Sequence, residues 1–101
     1  MRRGTTPAIP LTVNADITDW TVYVTLKNGR NILTLENDRL VMDYADGKTT
    51  IRFGLSQAET LAFRVGTCEV QVRAVKDGTA IATNIGTLTV GRILKGGEID
   101  E

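Results

Sequence analysis

The stretch WTVYVTLKNGRNILTL, residues 20–35, carries the clearest structural signal in the chain. Apolar side chains stand at every second position from Trp20 to Leu26 and alternate with threonines and a tyrosine. This period of two predicts a β-strand with one buried face and one face that tolerates water. Asn28-Gly29 then predicts a type I′ hairpin turn, because such a turn needs positive φ at both central residues. Residues 31–35 are expected to return as the second strand.

The same kind of signal recurs along the rest of the chain. Asp46-Gly47 and Asp77-Gly78 predict two further hairpin turns, and residues 84–86 predict a kink or bulge. The other strands are predicted over residues 9–13, 40–44, 49–53, 68–75, 80–83 and 87–90. Seven to eight short strands in about 100 residues indicate an all-β, immunoglobulin-like antiparallel β-sandwich. A small closed barrel is the alternative.

The segment FGLSQAETLAF, residues 53–63, interrupts this pattern and predicts one short helix over residues 56–62. Ser56 and Glu59 form a capping box, and Gln57 is a good helix former. Gly66 is expected to end the helix in the left-handed conformation. An apolar stripe is expected to plug one end of the sandwich, and it comprises Leu55, Ala58, Leu61 and Ala62.

Ser56 and Glu59 are also residue types from which active sites are built. No second carboxylate lies in the stretch to divide the acid and base roles, so an enzyme using these two groups is disfavoured. We therefore interpret Ser56, Gln57, Glu59 and Leu61 as a structural corner.

Composition narrows the remaining function classes. The chain has no histidine, which excludes histidine-dependent triads, dyads and zinc sites. Cys68 is the single cysteine, so it cannot form an intrachain disulfide, and it is predicted to be a small buried hydrophobe. Twelve Lys and Arg balance twelve Asp and Glu, without the basic excess typical of nucleic-acid binders. We predict no catalytic residues, metal, cofactor, small-molecule substrate, nucleic acid or membrane partner.

The 101 residues are enough for one domain. We predict an extended N-terminal arm over residues 1–7, a sandwich domain over residues 8–92 and a flexible tail over residues 93–101. The arm is basic at Arg2 and Arg3, whereas the tail is acidic at Glu98, Asp100 and Glu101. Pairing of opposite charges between arm and tail makes these five residues the predicted subunit contacts of a homo-oligomer.

Five segments together resemble a known group of proteins: RRGTTPAIPL, VYVTLKNG, LSQAETLAF, VQVRAVKDG and ATNIGTLTVGRIL. The chain is similar to the small β-sandwich proteins encoded among the structural genes of tailed phages and prophages of Gram-positive bacteria. In strand order and size it also resembles the N-terminal domain of upper baseplate proteins of lactococcal-type phages. Those proteins usually carry further host-binding domains, whereas this sequence stops at residue 101, which suggests a stand-alone connector or accessory.

The resemblance implies a non-enzymatic structural or assembly protein of the tail, neck or baseplate. It would act through contacts with other phage structural proteins, in the host bacterial cytoplasm during assembly and then in the virion. The alternative is a module that binds carbohydrate or a host surface, for which Tyr23 and Tyr44 would supply exposed aromatic rings. Trp20 is assigned to the core instead.

Overall fold

Eight strands, one short helix and one 3-10 turn make up the described part of the chain, residues 1–83 and 85–91 of a computed structural model. The helix α1 spans Gln57–Leu61 and the 3-10 turn spans Asn37–Arg39. The strands are β1 (Ala8–Val13), β2 (Thr21–Asn28), β3 (Asn31–Leu35), β4 (Val41–Ala45), β5 (Lys48–Gly54), β6 (Gly66–Lys76), β7 (Thr79–Ala82) and β8 (Gly86–Val90).

The strands form two antiparallel sheets. The smaller sheet has the order β1-β5-β4, and the larger has the order β3-β2-β6 with β7 and β8 sharing the far edge of β6. Since the sheets are separate and neither closes on itself, the predicted antiparallel sandwich is confirmed and the barrel alternative is not formed. No helix of the described residues is long and apolar enough to cross a membrane.

β6 is the central strand of the larger sheet, because β2 pairs with one of its edges and β7 and β8 share the other. Its first half pairs with β8 and its second half with β7. Thr83 lies between them, and its amide donates to the carbonyl of Val72 at 2.9 Å while its hydroxyl accepts from the Val72 amide at 3.1 Å. The predicted break between the last two strands is therefore present, although Asn84 lies outside the described residues.

The core follows the period-two pattern of the sequence. Every second residue of β2 from Val22 to Asn28 is buried, and Ile51 and Phe53 of β5 are buried opposite them. Trp20 is half-buried and packs against this core. Cys68 is fully buried, as predicted, and burial raises the pKa of its thiol.

Three hairpins were predicted, and two have the expected turn. Asp46-Gly47 and Asp77-Gly78 are two-residue loops with positive φ at both positions, 53° and 77° in the first and 49° and 82° in the second. These are the angles of a type I′ turn. The first hairpin differs from the prediction, because its loop is Gly29-Arg30 and Asn28 pairs with Asn31 as part of the ladder. Only Gly29 of that pair has positive φ, +62°, which fits a type II′ turn.

The first seven residues, predicted to be an extended arm, lie along their own sandwich. Arg2 forms a parallel bridge with Gly91 just past β8, and the carbonyl of Pro7 accepts from the Leu55 amide at 3.3 Å. The predicted tail, residues 93–101, lies outside the described residues.

Candidate functional site

The α1 corner brings together Ser56 and Glu59, two residues of the types from which active sites are built. Ser56 caps the helix, and its hydroxyl accepts a hydrogen bond from the Glu59 amide at 3.2 Å. The Glu59 carboxylate in turn accepts from the Ser56 amide at 2.9 Å. The capping box predicted from the sequence is therefore formed, and it occupies both side chains in local structure.

Glu59 has a second partner, Arg39 of the 3-10 turn. The two Arg39 terminal nitrogens donate to the two carboxylate oxygens at 2.8 and 3.1 Å, and one of them also donates to the Gly54 carbonyl at 3.0 Å. Mainly through this hydrogen bonding, the Arg39 guanidinium lowers the pKa of Glu59 from 4.5 to about 2. The carboxylate is ionised at neutral pH and both of its oxygens are engaged, so it is poorly placed to act as an acid or base.

The corner buries different side chains from those predicted. Leu55 is buried as expected, but Leu61 is half-buried, and the predicted stripe fails at its other two positions because Ala58 and Ala62 are exposed. The plug is completed by Thr60 and by Phe63, which lies past the end of the helix.

The end of α1 also differs from the prediction. Ala62 terminates the helix with right-handed angles, φ −69° and ψ −20°, and its amide bonds back to the Ala58 carbonyl. Gly66 does have positive φ, +133°, but it is the first residue of β6 and not the cap of the helix. Its conformation therefore redirects the chain into the central strand.

Of the five residues predicted as subunit contacts, only Arg2 and Arg3 lie in the described part of the chain. Arg2 is exposed, whereas Arg3 is partly buried and donates to the Leu61 carbonyl at the end of α1, at 2.8 Å. Arg3 therefore contacts its own chain, where a cation meets carbonyls left unpaired at a helix end. The acidic members of the predicted set, Glu98, Asp100 and Glu101, lie outside the described residues.

Asn28 is a structural residue that the turn interpretation missed. It is 4% exposed, and its amide nitrogen donates to the carbonyls of Arg64 and Thr67, both at 3.1 Å. Its side-chain oxygen accepts from the Arg64 amide at 2.6 Å. The alternation of β2 contained the signal, because position 28 continues the buried series of Val22, Val24 and Leu26.

Two surface cavities measure about 170 and 190 Å³, below the roughly 300 Å³ at which ligand pockets begin. The larger lies between β1 and the β6–β8 edge, where Leu11 faces Val72 and Leu88. Within residues 1–83 and 85–91, no group of three or more Asp, Glu or Cys side chains is placed to hold a metal ion.

The aromatic rings considered for carbohydrate binding do not share a surface. Tyr23 lies on the outer face of the larger sheet and is half-buried, opposite Arg73. Tyr44 lies on β4 of the smaller sheet and is 49% exposed. Two rings on separate sheets do not form one stacking platform.

The two sides of the sandwich are protected to different degrees. On the side of β1 and β8, Pro10 occurs in the edge strand and residues 1–3 cover the end of β8. On the other side lie β3 and β4, which we call the open side. It exposes Ile32 (60%) on β3, and Val41 (62%) and Tyr44 (49%) on β4, whereas the first side exposes Ile81 (36%) and Ile85 (58%) beside its strands β7 and β8.

The register shows what the open side offers to another chain. Ala45 and Lys48 flank a two-residue turn and form a hydrogen-bonded pair, so the alternation of an antiparallel ladder turns the backbone groups of Met42 and Tyr44 away from β5. No strand of the described residues pairs with that edge of β4. Unpaired backbone beside exposed apolar side chains is a template for an added strand.

Comparison of the sequence with protein-family models finds no match, and comparison with curated proteins finds none either.

Proposed function

We propose that this chain is a non-enzymatic structural or assembly protein of a tailed phage or prophage, which acts through protein–protein contacts. The observation that carries this proposal is the open side. There, the edge strand β4 combines unpaired backbone with large exposed apolar side chains, at Val41 and Tyr44.

The form of the open side favours recognition by strand addition. A partner strand beside β4 would receive main-chain hydrogen bonds from Met42 and Tyr44. Val41 and Tyr44 lie on opposite faces of β4, and both are available for side-chain contacts with that partner. Sandwich proteins usually protect such edges with proline, lysine or covering segments, and β4, with the sequence VMDYA, contains neither proline nor lysine.

The state of the corner supports a role without chemistry. The hydroxyl of Ser56 and both carboxylate oxygens of Glu59 are engaged in bonds that hold the corner together. The ion pair with Arg39 keeps Glu59 charged, whereas a general acid near neutral pH needs a raised pKa. The corner is therefore better suited to holding the sandwich end in shape.

Placement in a phage particle rests on the pattern of segments in the sequence, from the RRGTTPAIPL start to the closing ATNIGTLTVGRIL. On this proposal the chain is made in the host bacterial cytoplasm and joins the tail, neck or baseplate. Its partners are other phage structural proteins, and repeated copies would meet under the symmetry of the particle.

Proteomics of particles purified after prophage induction of the source strain tests this function. We expect the chain to copurify with the particles at a fixed ratio to the tail proteins and to stay with them through a density gradient. The same quantification in the cleared lysate is the matched control. A chain that is abundant in the lysate and absent from the particles would contradict a virion role.

A further inference from the structure

We propose that the Asn28-Gly29 pair is a deamidation site that the native fold keeps closed, and that its conversion makes an opening of the α1 corner irreversible. The co-reactant is water, and the reaction needs no enzyme. This inference concerns the chemical stability of the chain. It goes beyond the proposed function, since it holds whether or not the chain enters a phage particle.

Asparagine followed by glycine is the dipeptide most prone to deamidation in an unfolded chain, because glycine has no side chain to shield its amide. The Gly29 nitrogen gives up its proton and attacks Cγ of Asn28, so that a new C–N bond closes a succinimide ring and ammonia leaves. Water then opens the ring at either carbonyl and gives aspartate or isoaspartate at position 28. The sequence contains an Asn-Gly pair only at these two residues.

The nucleophile of this reaction is accessible in the native structure. Gly29 lies in the exposed turn after β2, and a Cβ added there would meet no atom within 4 Å. Solvent can therefore reach the Gly29 amide and take its proton. Whatever protects the pair must act on Asn28.

The side chain of Asn28 is held away from its own main chain by three hydrogen bonds. Its nitrogen donates to the carbonyls of Arg64 and Thr67, both at 3.1 Å, and its oxygen accepts from the Arg64 amide at 2.6 Å. To bring Cγ onto the Gly29 nitrogen, the carboxamide must turn away from the segment that follows α1. All three bonds break in that movement, in a position that is 4% exposed.

The backbone of Asn28 adds a second restraint. Asn28 is the last residue of β2 and pairs with Asn31, while the preceding Lys27 pairs with Glu69 of β6. A succinimide ring holds the asparagine backbone outside the extended conformation of a strand. Ring closure therefore requires the end of β2 to leave the ladder, together with the release of the side chain.

The product cannot rebuild the contact. An aspartate at position 28 has no N–H to donate, so the carbonyls of Arg64 and Thr67 lose their donors and face a buried negative charge. Isoaspartate also lengthens the main chain by a methylene group and disturbs the pairing of β2. A molecule that stays open at this corner is thus converted into one that can no longer close it.

The β6–β7 hairpin supplies a matched control for the protection. Asp77-Gly78 is an exposed two-residue turn, and a Cβ added at Gly78 would also meet no atom within 4 Å. Asp77→Asn therefore places a second Asn-Gly pair in a hairpin turn of the same molecule. The two pairs differ in whether the asparagine position is buried or exposed.

Peptide mass spectrometry of the Asp77→Asn chain measures both pairs during incubation in mildly alkaline buffer, with and without denaturing guanidinium chloride. Folding should slow conversion at Asn28 at least about tenfold more than at position 77, because a site that reacts only when open is slowed by its opening equilibrium. Conversion of Asn28 at the same rate in folded and denatured protein would overturn the proposal. Equal slowing at the two positions would overturn it too, since the turn alone would then give the protection.

Refolding of aged protein tests the irreversibility. Wild type is kept in guanidinium chloride at mildly alkaline pH until Asn28 is converted, then returned to native buffer. We expect a lowered denaturation midpoint by Trp20 fluorescence, and the same loss in Asn28→Asp, which reproduces one of the products. Ageing at mildly acidic pH, where the Gly29 amide keeps its proton, is the control and should preserve the wild-type midpoint. Converted protein or Asn28→Asp with the wild-type midpoint would contradict the inference.

Discussion

The α1 corner and the open side both contain groups that could bind another molecule, but only in the corner are those groups satisfied within the chain. Arg39, Ser56 and Glu59 form a closed set of hydrogen bonds, and Asn28 ties the end of the corner to β6. On the open side, Val41 and Tyr44 face solvent on a strand with one unpaired edge. Reactive residue types are thus a poor guide to the contact surface, and unsatisfied groups are a better one.

The comparison separates two kinds of effect. Substitutions in the corner should change the free energy of unfolding and leave partner contacts intact in whatever protein remains folded. Substitutions on the open side should leave the free energy of unfolding nearly unchanged and weaken the partner contacts. The four predictions that follow are ordered by the size of their expected effect on stability.

Asn28→Ala should have the largest effect. It leaves two carbonyls and one amide without partners at Arg64 and Thr67, in a position where the native side chain is 4% exposed. A loss of about 3 kcal/mol in the free energy of unfolding is expected, because each buried group left unpaired costs roughly 1–3 kcal/mol. Urea denaturation followed by tryptophan fluorescence measures it, since Trp20 packs against the core.

Asn31→Ala provides the control for this substitution, because Asn31 lies opposite Asn28 in the same hairpin. A change below about 0.5 kcal/mol is expected there, as for most substitutions outside buried networks. Equal losses of stability at the two positions would show that the effect comes from the hairpin and not from the hydrogen bonds of Asn28 to Arg64 and Thr67.

Ser56→Ala should cost about 1 kcal/mol, the usual value for loss of a serine cap. The Glu59 amide loses the hydroxyl that it donates to at 3.2 Å, while the Arg39–Glu59 ion pair is retained. Thermal unfolding by circular dichroism is a suitable measurement. Ser56→Asp restores an N-cap and should recover most of the loss, and failure to recover it would argue against the capping account.

Glu59→Gln isolates charge from capping, because glutamine can also reach back to the Ser56 amide. The pKa of Glu59 falls from 4.5 to about 2 on folding, so its charge stabilises the native state fully above about pH 4.5. That contribution is lost as the pH falls from 4.5 towards 2. Wild type should therefore exceed Glu59→Gln in stability at pH 7, and the gap should close on acidification, in denaturation curves taken at several pH values.

If the stability difference between wild type and Glu59→Gln did not depend on pH, the result would contradict the Arg39–Glu59 ion pair. Arg39→Gln provides an independent check, because it removes the cation and should restore the pKa of Glu59 towards 4.5. Carbon-detected NMR titration of the Glu59 carboxyl reads this shift directly.

Val41→Lys should have the smallest effect on stability. Val41 is 62% exposed at an edge, where a change within about 0.5 kcal/mol is expected. Lysine on an edge strand disfavours strand addition, so this variant should still fold while losing partner contacts. Ala45→Lys, at the other end of the same strand beside the turn, is the matched control for added charge.

Much of the fold could be predicted because its signals are local. Asp46-Gly47 and Asp77-Gly78 specify their own turns, and alternation places Val24 and Ile51 inside without knowledge of the partner strand. Asn28-Gly29 is the exception, since the loop moves by one residue and brings Asn28 into the ladder. The bonds that Asn28 makes to Arg64 and Thr67 come from a distant part of the chain, and no local motif reports them.

In the α1 corner too, the features set by local sequence could be predicted and those set by tertiary contacts could not. The start of α1 was predictable, because Ser56 and Glu59 are three residues apart and bond to each other. Its buried face was not, because a helix of five residues is oriented by tertiary contacts such as the one from Thr60 to Thr5. The partner Arg39, twenty residues away in sequence, was likewise invisible to a local pattern.

The most direct test of the central claim compares the open side with the corner in particle assembly. A prophage lacking this gene is complemented with wild type, Val41→Lys or Glu59→Gln, and the chain is quantified in purified particles by mass spectrometry. The account predicts that Glu59→Gln enters particles at the wild-type ratio, whereas Val41→Lys is made and folded but is depleted from them at least tenfold. Incorporation of Val41→Lys at the wild-type ratio, or depletion of folded Glu59→Gln from the particles, would contradict it.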